Sequence, residues 1–226
     1  MNPDLLERKF REVGVPLRLD NDRSWFGINV GRHRDREWIA LSPGDSSVEV
    51  MDSDGDHRQL LLLVRETDGW RRPNKSKILC GRDESSLFSV RVTGSRVINT
   101  VAAAHEALKP IELRSAPGAR RGPRYRNPRV IRQGDWFFVP RPDLGRQEWP
   151  GSQRNARLST GGNSHIVDYL HGETRNLFRP PSFFWDRGFV FARGFVRHKD
   201  HRTISLPYWH RVLPNSAGVA PGGYLD

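Results

Sequence analysis

Between Leu113 and Gly134 the chain carries seven arginines, three prolines, three glycines and not one acidic residue. No period of apolar residues runs through this stretch, so it has no face to bury. Its guanidinium groups must be solvated or matched by anions. A segment of this kind cannot cross a folded core, and it divides the chain into residues 1–112, an arginine-rich arm at 113–130, and residues 131–226. Each flanking part is long enough for a small core of its own. Apolar content is only 36%, but seven Trp and eleven Phe supply large side chains to bury and argue against disorder.

Charge follows the same division. Residues 1–112 hold 18 basic and 18 acidic residues, whereas residues 113–226 hold 19 and 8, so the whole net charge of +11 sits in the second part. Only five of the 37 basic residues are Lys. Coding bias would favour Arg throughout, but it would not strip acids from one half. The longest apolar run, Leu60-Leu61-Leu62-Leu63-Val64, falls far short of the roughly 18 residues of a membrane span and suits a buried strand. Met1-Asn2-Pro3-Asp4 opens without a basic and then apolar stretch, so no signal peptide is expected. The single Cys80 cannot form an internal disulfide. A cytoplasmic, bacterial or phage setting with no membrane partner is the expectation.

Asn2 and Pro3 supply a cap and first turn for a helix whose Leu5, Leu6, Phe10 and Val13 share one face, with Gly14 as its stop. Strand-like runs follow at 25–30, 37–41, 48–51, 59–64, 77–80 and 87–92, and a second helix is predicted over 96–108 with Ser95 as its cap. A sheet flanked by two helices predicts an α+β N-terminal module. Beyond the arm, 130–140 reads as one strand with a bulge at Gln133-Gly134-Asp135. Further strands are predicted at 166–170, 189–196, 203–206 and 209–213. With no helical period there, the C-terminal module is predicted to be mainly β, a small barrel or sandwich.

Two constellations could carry chemistry. The first is the arm, where Arg114, Arg120, Arg121, Arg124, Tyr125, Arg126, Arg129 and Arg132 set guanidinium groups around one ring. Arginine pairs bidentately with phosphate and aromatic rings stack on bases, so nucleic acid is the expected partner, RNA or a single strand in particular. A ribonucleoprotein assembly or an acidic protein partner would meet the same charge. The second is a histidine cluster, since five of eight His fall in the last 62 residues. His165, His198 and His201, with Asp168, are candidate ligands for a divalent transition metal. His210 is a candidate fourth ligand or general base, provided residues 203–213 fold as a hairpin that returns it to His198. That arrangement would suit a metal-dependent hydrolase or nuclease. His165 and Asp168 are three residues apart and need a bulge between them to share a face.

Other signals are structural. Asp52-Ser53-Asp54-Gly55-Asp56 lacks the distal Glu of a calcium loop and reads as a turn. Cys80 ends an apolar run and reads as a core residue. Phosphate-loop, dinucleotide and zinc-deaminase signatures do not occur.

Residues 130–215 resemble a set of small uncharacterised bacterial and phage proteins. The likeness lies in Arg132-Gln133-Gly134-Asp135, in Gly161-Gly162-Asn163-Ser164-His165, and in His198 to His201 followed by Ile204-Ser205-Leu206-Pro207. It implies that His165, His198 and His201 belong together, and it brings no activity with it. Those sequences often read Gly-His-x-His at the turn, so Asn163 stands where a further ligand would be.

Overall fold

The computed structural model describes residues 2–20, 25–66, 74–83, 86–93, 97–110, 113, 130–158, 164–172 and 189–215. Contacts divide the chain into two units, one running to Lys109 and the other spanning Pro110–Asn215. Among the described residues, no helix is long and apolar enough to cross a membrane.

The first unit opens with helix α1 (Pro3–Glu12), where the Asn2 side chain accepts the Leu5 N–H at 3.1 Å. Leu6 and Phe10, one turn apart, are its buried residues. Gly14, at φ +67°, ends it. Three strands follow, β1 (Leu17–Leu19), β2 (Gly27–His33) and β3 (Arg36–Ser42), forming a sheet in the order β1-β3-β2. A four-stranded antiparallel meander comes next: β4 (Ser47–Asp54), β5 (Gln59–Glu66), β6 (Asn74–Asp83) and β7 (Ser86–Val92).

The meander is covered on both faces, which explains the unbroken run in β5. Leu60, Leu62, Val64, Ile78 and Cys80 face a core shared with α1 and the three-stranded sheet. Leu61 and Leu79 face the opposite core, closed by Ile98 and helix α2 (Val101–Leu108). Cys80 is fully buried and its thiol is pushed up by desolvation, so it stays protonated as a core residue.

The α+β expectation for this unit is overturned. Strand dominates, with seven strands among the described residues against helices of ten and eight residues that patch sheet faces. The second helix is shorter than predicted because Thr100 caps it, accepting the Ala103 N–H, while Asp52 Oδ2 accepts the Val101 N–H at 2.7 Å. Ile98 is buried ahead of the helix and its carbonyl accepts from Lys77 Nζ. The expected cap, Ser95, lies outside the described residues.

The second unit is a β unit built on one antiparallel sheet. Its strands are β8 (Ile131–Gln133), β9 (Trp136–Pro140), β10 (Gln153–Leu158), β11 (His165–His171), β12 (Phe191–Arg197) and β13 (Ile204–Pro214), ordered β10-β11-β12-β13-β9-β8. Trp136, Phe138, Leu158, Val167, Leu170, Ala192, Val196, Leu206 and Val212 share one core. Two strand predictions are corrected. Residues 131–140 form a tight hairpin turning at Gly134-Asp135 and not one bulged strand. Residues 204–214 form one continuous strand, with the expected break taken up by a register shift opposite Ala192/Gly194. Pro207 falls in that shifted segment, where its missing N–H costs no ladder bond. The β8–β9 turn meets the start of β11 although two strands, β12 and β13, lie between β9 and β11 in the order, so the sheet is strongly curled.

Candidate metal centre

His165 opens β11 on the core side and is 1% exposed. The connection between β12 and β13 carries His198 and His201 over it. Ring centroids are 4.3 Å apart for His165 and His198, 4.7 Å for His198 and His201, and 5.8 Å for His165 and His201. One nitrogen from each ring lies within 4.8 Å of the others. A tetrahedral zinc holds its nitrogens roughly 3.4 Å apart at Zn–N of about 2.0–2.1 Å, so small side-chain rotations would close the group on an ion.

The β8–β9 turn forms the wall of this site. Gly134 sits at φ +55°, and a Cβ there would lie 3.0 Å from His201 Nε2 and 3.4 Å from His165 Cε1. Only glycine allows the turn to approach the imidazoles so closely. Beside it Gln133, 1% exposed, donates from Nε2 to the Arg202 carbonyl at 2.5 Å and so ties the turn to the His198–His201 connection.

Polar satisfaction is poor here. Among the described residues, both ring nitrogens of His165, Nε2 of His198 and Oε1 of Gln133 are buried without a hydrogen-bond partner. Leaving one such group unmet costs about 1–3 kcal/mol, and native structures rarely gather several at one point. Burial first, and then the neighbouring His198 and His201, push the His165 imidazole down to about 3. Burial also lowers His198, followed by the effect of His201, against a smaller opposing pull from Asp200. Both rings are therefore neutral at physiological pH, the form that ligates a metal.

Three imidazole nitrogens with no oxygen donor suit a borderline transition ion such as zinc better than calcium or magnesium. His198 and His201 are half-buried, so the group is reached from solvent on their side. One ring must adjust on loading. His198 Nδ1 accepts the Asp200 N–H at 3.1 Å, so the neutral ring carries its proton on Nε2. Ligation requires release of that bond or rotation of the ring about χ2.

The structure brings together His165, His198 and His201 and leaves the other candidates elsewhere. The β11 register shifts between Val167 and Tyr169, beyond the 166–167 pair where a bulge was needed. Asp168 therefore accepts the Phe195 N–H at 2.8 Å and the Arg197 guanidinium at 2.6 Å, away from the imidazoles. His210 is buried far along β13, where its Nδ1 donates to the Tyr208 carbonyl at 2.8 Å and its ring stacks on Tyr208. With no hairpin at 203–213, His210 lies six residue steps along the strand from Ile204, about 20 Å at strand rise. Arg132 donates to the Gly134 carbonyl at 3.0 Å and lies 5.9 Å from the Phe137 ring centroid, a turn-bracing role. Arg114, Arg120, Arg121, Arg124, Tyr125, Arg126 and Arg129 lie outside the described residues. Sequence reasoning missed the part of Gly134 and Gln133 in the site. The Arg-Gln-Gly-Asp motif was their signal, read as a bulge in a strand and as part of the resemblance.

No family model, curated protein or solved structure matches this chain.

Proposed function

We propose that this is a metal-binding protein whose second unit holds one divalent transition ion on His165, His198 and His201. The observation that carries the reading is His165, a fully buried imidazole with both nitrogens unmet that faces two further imidazoles within ligating reach. A three-histidine ion with an open position supplies Lewis acidity and a water acidified toward neutral pH, the basis of hydrolytic chemistry. The excess positive charge of residues 113–226 favours an anionic substrate, and hydrolysis of a phosphate ester suits both features. The test is titration of metal-free protein with cobalt(II). Visible absorption of a tetrahedral site should saturate at one equivalent and vanish in a His198→Ala/His201→Ala double variant. Absorption no stronger than that of cobalt in buffer overturns the reading.

A second reading, nucleic-acid binding, is favoured by the charge partition. A neutral first part and a second part at +11 concentrate cations where phosphates would be neutralised. Affinity for an oligonucleotide should fall steeply with salt, and failure to bind at low ionic strength would remove this reading.

A further inference from the structure

We propose that the solvent face of β10, β11 and β12 is a platform for single-stranded nucleic acid, with Phe195 as its base-stacking ring. The proposal rests on the nucleic-acid reading and is independent of the metal. β12 lies inside the sheet, between β11 and β13, where a large apolar side chain would ordinarily be covered. Phe195 is nevertheless 49% exposed. Its strand neighbours on the same face, two residues away in each direction, are Arg193 and Arg197. Cζ of Arg197 lies 5.4 Å from the Phe195 ring centroid, and that of Arg193 lies 4.3 Å from the ring of Tyr169 on β11. On β10, Arg154 covers the same tyrosine at 5.6 Å. The face is thus a ladder of alternating guanidinium planes and aromatic rings.

Charge identifies the occupant. Arg154 is met by Glu148 and Arg197 by Asp168. Arg193 instead bonds to the Arg146 carbonyl, and Arg157 to the Ser164 hydroxyl at 2.8 Å. Arg157 is exposed with no carboxylate partner among the described residues, Arg193 is half-buried beside Glu148 and Asp168, and the four guanidinium groups outnumber those two carboxylates by two. Phosphates complement those cations, and an unstacked base complements Phe195, as sheet-based single-strand binders use them. The face of a multi-stranded sheet is too broad to enter the major groove of a duplex as a helix does, so paired strands fit it poorly.

The experiment measures anisotropy of fluorescent oligouridine and oligothymidine, about twelve nucleotides long, against the full chain across a salt series. Phe195→Ala should weaken binding roughly tenfold, leave the salt slope unchanged, and be rescued by Phe195→Trp. Arg157→Gln with Arg193→Gln should flatten the slope by about 0.7 for each phosphate that is no longer neutralised. Far-ultraviolet dichroism of each variant checks the fold, and Arg157→Gln alone is the variant least able to disturb it. If the parent chain fails to bind at low salt, the nucleic-acid reading falls and this platform with it. If the parent binds and the variants bind equally well, the platform falls while the reading passes to the arm at 113–130.

Discussion

The imidazoles of His165 and His198 stack with centroids 4.3 Å apart and planes inclined by 26°, one ring from the buried start of β11 and the other from the loop above it. Without an ion this contact sets polar nitrogens against each other. Metal should therefore stabilise the second unit markedly. Saturation at about a hundred times Kd adds about 2.7 kcal/mol by mass action, read as a rise in thermal midpoint on adding zinc to chelated protein. No shift at millimolar excess would speak against a folded-state site.

Gly134→Ala probes the wall of the site. The change strains a left-handed backbone and places a methyl group 3.0 Å from His201 Nε2. Gly151→Ala is the control, since Gly151 has φ +77° and nothing within 4 Å of the added carbon. Each should destabilise by about 1 kcal/mol or more from backbone strain, but only Gly134→Ala should weaken metal binding, by about tenfold. Equal metal affinity in the two variants would detach the turn from the site.

Acid should weaken the metal-free protein. Burial holds His165 at about 3 in the folded chain, below its ordinary 6.5, and lowers His198 and His210 in the same direction. Between those values the unfolded chain binds protons that the folded one refuses. Stability is therefore full above about pH 6.5 and is lost as pH falls toward 3. From about pH 6.5 to about pH 5, His165 alone should account for about 2 kcal/mol, measured by urea midpoints. A midpoint unchanged over that span contradicts the burial of a neutral His165.

In the first unit, Asp52→Ala removes the carboxylate that accepts the Val101 N–H at the start of α2. A loss of about 1 kcal/mol is expected in denaturant unfolding, with Asp52→Asn intermediate. An unchanged midpoint in both would mean that Thr100 alone caps the helix.

How far the sequence could be read varied with the range of the interaction. Leu60–Val64 announced a buried strand, and Asn2-Pro3 announced the start of α1, because those signals are local. The balance of helix to sheet was misjudged because Thr100 and Asp52, 48 residues apart, jointly set where α2 begins. Residues 203–206 and 209–213 read as separate strands, whereas the register shift in β13 carries one strand through both. That one misreading carried His210 into the predicted site. His165, His198 and His201 were legible from residue type and the turn signals around them. Gly134 was not, since its closeness to those rings arises only from the curl of the sheet.

Metal stoichiometry is the most direct test of the central claim. Protein purified without a histidine tag, supplied with zinc and freed of loose ions by gel filtration, should carry about one zinc per chain by mass spectrometry of the metal. His165→Ala, His198→Ala and His201→Ala should each lower that content several-fold, while His210→Ala and Asp168→Asn leave it intact. A parent chain with far less than one ion, or His210 and Asp168 variants that lose metal as readily as the three histidines, would contradict the account.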